Sequence, residues 1–196
     1  MKIVFATSNQ HKLKELNEIA KTFGISDVEF ILPPEGFDPV EDGVTFEENS
    51  LIKAREAAKL TGMMALADDS GLCVECLDGA PGIYSARYAD TPQARIDKLL
   101  AAVKPFENKV AKFVCAMTLV DKNGDVLFAD RGECLGKIAE KQAGCHGFGY
   151  DPIFLVNGKN GLTMAELTDD EKNSISHRGN ALRKVLEFME LRKSEK

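Results

Sequence analysis

The chain has no apolar run approaching the roughly 20 residues that a membrane-spanning helix needs. It also lacks the charged, apolar and small-residue regions of a signal peptide, because Lys2 to Ala6 enters directly as an apolar strand. A cytoplasmic protein without membrane attachment is the expectation. Positive charge is short: 25 Lys plus Arg stand against 31 Asp plus Glu, a formal charge of -6, the wrong sign for a general nucleic-acid binder. A small anionic ligand stays open, since a local lysine cluster makes a positive pocket on a negative protein. Five cysteines, an odd number without an export signal, imply reduced thiols. Cys73 and Cys76 form a CxxC, but Leu72, Val74 and Cys76 alternate as a strand, where residues three apart point to opposite faces and do not share a metal. Cys115, Cys134 and Cys145 have neither a second CxxC nor a histidine at zinc-ligand spacing, so buried structural thiols are expected. Repeats, low-complexity tracts and linkers are absent. What is present is 196 residues, 44% hydrophobic and 29% charged, which read as a single domain spanning 1–196 and long enough to bury a full core.

Cap-type residues Thr7, Ser8 and Asn9 follow the first strand, and Leu13, Leu16, Ala20 and Phe23 then repeat at helical spacing up to Gly24. A loop from Pro33-Pro34 to Gly43 separates this unit from the capping box Thr45/Glu48, which opens a helix that stops at Gly62. Met63 to Ala67 reads as a short strand running into a turn at Asp68-Asp69-Ser70-Gly71, with a new strand to Cys76 and a turn at Asp78-Gly79. Thr91-Pro92 starts a helix to about Val103. Ala111 to Val120 and Val126 to Cys134 form an antiparallel pair around Asn123-Gly124. A glycine-rich stretch, Gly144 to Tyr150, leads through Asp151-Pro152 into the strand Ile153 to Val156. Capping boxes at Thr163/Glu166 and Thr168/Glu171 precede a last helix with the face Leu182, Val185, Leu186 and Met189. Alternating strands and helices with a hairpin in the middle predict an α/β fold whose mixed sheet is flanked by helices.

Three segments carry chemistry. Thr7, Ser8, Asn9, Gln10, His11 and Lys12 sit where a strand ends and a helix begins, so they form either a plain N-cap or an anion site. Asp68 and Asp69 arrive together at the end of a buried strand, which is costly unless a cation or solvent offsets their repulsion. Magnesium, held by one or two carboxylates plus substrate phosphates, suits them; an acidic turn is the alternative. Glu41, in a loop with Asp42, reaches the same cation or is a solvated charge. Lys53 shares a helix face with Asn49 and either meets phosphate or snorkels. Phe148, Gly149, Tyr150 and Asp151 with His177 and Arg178 combine an aromatic face with polar groups suited to a nucleobase, or pack structurally. Lys172 adds a positive charge.

Together these segments resemble the inosine triphosphate pyrophosphatase family nearly end to end. The most specific string is Ala67 to Leu72 followed by Gly79 to Arg87, with further matches at Thr45 to Lys59, Phe148 to Phe154 and Ile175 to Leu182. The resemblance implies a strongly twisted sheet in two lobes with a central active-site cleft. It implies a homodimeric, magnesium-dependent hydrolase that turns ITP, dITP or XTP into the monophosphate and diphosphate. On the matching positions, Thr7 to Lys12 bind phosphate, Asp69 is the proton acceptor, Glu41 and Asp69 serve magnesium, and Ser70 touches substrate. Phe148 to Asp151, Lys172, His177 and Arg178 hold the nucleotide, chiefly its base. Ser8 departs from the glycine of many relatives and is strained if that position needs a positive φ; Gln10-His11 replaces a frequent small residue. Lys12, Lys53 and Lys172 are expected to neutralise the triphosphate, with Asp68 supporting Asp69. Two other readings remain: a Maf-type pyrophosphatase for pyrimidine or modified nucleotides, and a nucleotide sensor without turnover.

Overall fold

The computed structural model describes residues 1–24 and 27–194. In chain order the elements are β1 (Lys2–Phe5), α1 (Gln10–Thr22), β2 (Glu29–Ile31), α2 (Phe46–Thr61), β3 (Ala65–Val74), α3 (Pro92–Val103), β4 (Val110–Val120), β5 (Val126–Ile138), β6 (Phe154–Val156), α4 (Asp169–Ile175) and α5 (His177–Ser194). The sheet order is β2-β1-β3-β4-β5-β6. β1 is parallel to β2 and to β3, whereas β5 is antiparallel to β6, so the sheet is mixed as expected. No helix among the described residues is long and apolar enough to cross a membrane.

The chain divides into two compact units, each discontinuous in sequence. Unit 1 comprises 1–69, 115–132 and the segment from His177 onward; unit 2 comprises 70–114 and 133–176. The boundaries fall inside β3, β4 and β5 and between α4 and α5. That is why no linker composition betrays them.

Within unit 1, the two-residue period of a strand sorts side chains onto opposite faces. Ile3 and Phe5 of β1, Leu66 of β3 and Cys115, Met117 and Leu119 of β4 pack with Leu16 and Ile19 of α1 and Leu182, Val185 and Leu186 of α5. The opposite face carries Val4, Ala65, Ala67 and Val120 against Ala54, Ala57 and Ala58 of α2. Alanines on both partners set α2 close to the strands. Thr45 Oγ1 accepts from Glu48 N at 3.1 Å to start α2, while the Glu48 carboxylate reaches back to Val44 N rather than to Thr45. Gly62, in the left-handed region at φ 65°, ends it. Gly132 has a different role: a Cβ there would lie 2.3 Å from the His177 carbonyl oxygen, so only glycine lets β5 run beside the start of α5. Unit 2 has its own core, in which Leu72, Leu99, Phe113, Ile153, Phe154 and Met164 meet.

The structure corrects several expectations. Asp68-Asp69-Ser70-Gly71 is not a turn: β3 runs unbroken from Ala65 to Val74. An acidic turn forms when Asp side chains cap their own backbone, and here both carboxylates are engaged by distant side chains instead. The strand stops at Val74, and Cys76 lies in a short 3-10 helix, Glu75–Leu77, so the CxxC does not sit on one strand. All five cysteines stand as thiols, but only Cys115 and Cys134 are buried, whereas Cys145 is exposed. β2 and the 3-10 helices at Gly82–Arg87 and Asp151–Ile153 had no sequence signal; the last takes Ile153 out of the expected strand, so β6 begins at Phe154. β5 extends to Ile138, beyond the expected Cys134.

Candidate functional site

In unit 1 the site grows out of β3. Because neighbouring strand residues face opposite ways, Asp68 continues the face of Leu66, under α1 and α5, and Asp69 continues the face of Ala67, under α2. Both carboxylates are buried, and each meets a separate set of partners.

On the α1/α5 face, Lys12 Nζ lies 3.0 and 3.1 Å from the Asp68 oxygens. Arg178 donates to Asp68 Oδ2 from Nε at 3.3 Å and from Nη2 at 3.1 Å, and Nη1 donates to Glu15. Arg178 is 1% exposed. Burial alone would release its proton, but Glu15 and Asp68 outweigh that and hold the guanidinium charge more firmly than usual. Arg178 thus pairs with two carboxylates inside unit 1. Two cations face two anions.

On the α2 face, Lys53 Nζ bridges Glu41 Oε2 at 3.0 Å and Asp69 Oδ1 at 3.4 Å. Asn49, one turn before Lys53, donates from Nδ2 to Asp69 Oδ2 at 3.2 Å. Here one ammonium serves two carboxylates. Burial pushes the Asp69 carboxyl above the ordinary aspartate range, aided by Glu41 and Asp68 and opposed by Lys53 and Asn49. Burial acts to lower the Lys53 pKa, yet Asp68, Asp69 and Glu41 drive it above its ordinary value. The Lys53 shift reflects the negative charge gathered around it, whereas the Asp69 shift is set first by burial.

That negative charge bears on a metal. Glu41 and Asp69 offer oxygen only, the donor type a magnesium-like ion takes, and Lys53 Nζ already marks a cationic position between them. The residues fit such an ion. No group of three or more His, Cys, Asp or Glu forms a ligand set among the described residues, so water and substrate oxygens would complete the shell.

At the start of α1, Asn9 Oδ1 accepts from His11 N at 2.9 Å and Lys12 N at 3.3 Å, and Thr7 Oγ1 accepts from Asn9 N at 3.1 Å. The N-cap reading of this turn is thus realised. Ser8, Gln10 and His11 are exposed. Asp78 and Asn160 are the non-glycine residues with positive φ among those described, so Ser8 is not strained. His177 is buried and opens α5.

Unit 2 carries the aromatic segment. Asp151 Oδ2 accepts from Lys172 Nζ and from Phe148 N, both at 2.9 Å. The Lys172 ammonium lies 4.8 Å from the centre of the Phe148 ring. Gly147, at φ 74°, is required here because a Cβ would come 2.1 Å from Asp151 Oδ2. Phe148 keeps 42% of its surface exposed, whereas Lys172 and Asp151 are buried. Tyr150 is buried, its hydroxyl donates to the Ser85 carbonyl at 2.9 Å, and burial pushes its pKa up to about 12. Gly149 adopts a positive φ, and Ser70, half-buried, belongs to the β3 portion of this unit.

Glu15 escaped the sequence reading. Its only signal is position: it sits on α1 three residues after Lys12 and four before the buried Ile19, which places a carboxylate on the apolar stripe.

A mixed α/β sheet that buries adjacent aspartates among lysines and an arginine defines a scaffold for an ionic ligand site. Comparison with known proteins gives the family. The model of the Ham1 family matches residues 3–188. The chain is 47% identical over 196 residues to the dITP/XTP pyrophosphatase of Yersinia pseudotuberculosis serotype I, covering 96% of this chain and 98% of that one. It is 46% identical over 184 residues to the dITP/XTP pyrophosphatase of Prochlorococcus marinus strain NATL1A, with 94% and 91% covered. The solved Ham1 protein of Staphylococcus aureus superposes with a TM-score of 0.85 at 40% identity over the full length of both chains. The chain belongs to the Ham1 family, and the resemblance read from the sequence is borne out.

Proposed function

We propose that this protein is a nucleoside triphosphate pyrophosphatase that hydrolyses ITP, dITP and XTP to the monophosphate and diphosphate with magnesium, acting as a cytoplasmic homodimer that cleanses the nucleotide pool. The relatives named dITP/XTP pyrophosphatase support the reaction class. The observation that carries the chemistry is Asp69, a buried carboxylate with a raised pKa in a cluster of two anions and one ammonium. A carboxylate held above its ordinary range is a stronger proton acceptor than a free aspartate.

Magnesium, when bound, would neutralise phosphate charge and polarise the phosphoryl oxygens. Asp69 orients a water and takes its proton as the water attacks the α-phosphorus, and diphosphate leaves. Asn49 holds Asp69 Oδ2 and leaves Oδ1 facing Lys53. Lys12 and Lys53 meet the triphosphate charge as it shifts to the leaving group, which is most of the catalytic task in phosphoryl transfer. The Thr7 hydroxyl and the exposed side chains of Ser8, Asn9, Gln10 and His11 add polar groups to the phosphates, and Ser70 contacts substrate.

Phe148, half uncovered beside Lys172, stacks on the base, with Gly149 giving room and Tyr150 fixing the segment through Ser85. His177 and backbone N–H groups donate to the oxygen at position 6 of the purine. Adenine presents an amino group there, and leaving a donor unpaired costs about 1–3 kcal/mol per group. Arg178 acts on the base indirectly, through the rigidity of its ties to Glu15 and Asp68. The test is diphosphate release from ITP, dITP, XTP, ATP, GTP and UTP with and without magnesium. ITP and XTP hydrolysed no faster than the others would falsify the specificity, and binding of ITP without release would favour a sensor.

A further inference from the structure

Resting on the reading of Glu41 and Asp69 as cation ligands, we propose that Asn49 is a positioning residue that holds these two carboxylates in register for the ion. Asn49 is 1% exposed, and both ends of its amide are used. Oδ1 accepts from Gly43 N at 2.9 Å, while Nδ2 donates to Asp69 Oδ2 at 3.2 Å. Gly43 lies two residues after Glu41, so one side chain ties the loop that carries Glu41 to the strand that carries Asp69. Lys53 makes the second tie, between the Glu41 and Asp69 carboxylates themselves. Together the two form a closed ring through Gly43, Asn49, Asp69, Lys53 and Glu41.

The two ties differ in kind. Lys53 holds the carboxylates by charge, and any cation taken by Glu41 and Asp69 competes with its ammonium. Asn49 is neutral and occupies Asp69 Oδ2 and a backbone amide, so its tie survives that exchange. It keeps the loop and strand together while Lys53 turns to phosphate. Gly43 matches this role by closeness: a Cβ there would lie 2.6 Å from Asn49 Oδ1 and 2.8 Å from Glu48 Cβ. Outer groups that orient metal ligands carry a large share of metal affinity.

The experiment measures Mn2+ affinity by electron paramagnetic resonance, with an ITP analogue whose α–β bridge is an imido group and resists cleavage. Wild type, Asn49→Ala, Gly43→Ala and the double variant are compared, with magnesium half-saturation, kcat on ITP and melting temperature measured in parallel. Both single variants should weaken Mn2+ binding roughly 10- to 100-fold and raise magnesium half-saturation by the same factor. The double variant should be no worse than the weaker single, because both cut the same link. A lowered melting temperature with unchanged metal affinity, or losses that add in the double variant, would overturn the proposal. Should Asn49→Ala fold poorly, Asn49→Ser and Gly43→Ala give the same comparison with a milder cut. Failure of wild type to release diphosphate from ITP would sink the enzymatic reading but not the binding result. Hydrolysis by wild type with intact metal affinity in Asn49→Ala would sink only the positioning role.

Discussion

Asp68 and Asp69 are neighbours in one strand of unit 1, yet their surroundings are opposite in electrical balance. Asp68, with Glu15, is matched by Lys12 and Arg178; Asp69, with Glu41, is matched by Lys53 alone. Strand geometry does the sorting, sending one carboxylate to the α1/α5 face and the other to the α2 face. A neutralised carboxylate fixes structure. A carboxylate left with surplus negative charge around it can take a proton or a cation, and that is the difference between a scaffold aspartate and a reactive one.

The sharpest way to break this contrast is Asp69→Asn. Removing a general base costs about 10²- to 10⁴-fold in turnover, so diphosphate release from ITP should fall by that order while ITP binding persists. In magnesium-free buffer near neutral pH the same variant should melt higher than wild type. The sign follows from linkage: a carboxyl whose folded pKa is raised favours the fold while protonated and loses that contribution as pH rises through the folded value. Asn, always neutral, lifts that opposition, and a lower melting temperature would count against the surplus charge.

Arg178→Met attacks the balanced side. It leaves Glu15 and Asp68 buried against Lys12 alone, and breaking a buried ionic group by removing one partner costs about 3–5 kcal/mol. Denaturant unfolding should show that loss, and a variant as stable as wild type would show that Arg178 is not the clamp described. Next comes pH. The acid limb of kcat/KM should follow Asp69, with activity rising as its carboxyl ionises, at a midpoint above the ordinary aspartate range; a limb that stays in Asp69→Asn would assign it to another group. The smallest effect provides the baseline: Lys2 and Glu29, paired at 3.6 Å with side chains 60% and 61% exposed, should change stability by about 0–1 kcal/mol when Lys2→Ala is made.

What the sequence disclosed follows from how local each signal is. Thr45 with Glu48, Gly62 and Asn123-Gly124 act within a few residues, and each appears where its pattern places it. The Asp68 to Gly71 stretch has turn composition, but the tertiary partners of its carboxylates lie on α1, α2 and α5, and no local pattern reports them. β2 has only three residues, and its register rests on Lys2, Ile3 and Val4 across the sheet. Lys12 was legible in the strand-to-helix cap segment, the two aspartates as adjacent carboxylates at the end of a buried strand, and Lys53 by the helix face it shares with Asn49. Glu15 and the full burial of Arg178 were not, because the groups that hold them are far apart in sequence: Arg178 pairs with Glu15 and Asp68.

The most direct test of the contrast is the protonation midpoint of the Asp69 carboxyl, followed by carbon-13 NMR in the metal-free protein and again with magnesium. A midpoint above the ordinary value of 3.8, falling when magnesium is added, is the expected result. A midpoint at or below that value, unmoved by magnesium, would contradict the claim that the α2 face holds surplus negative charge for a cation.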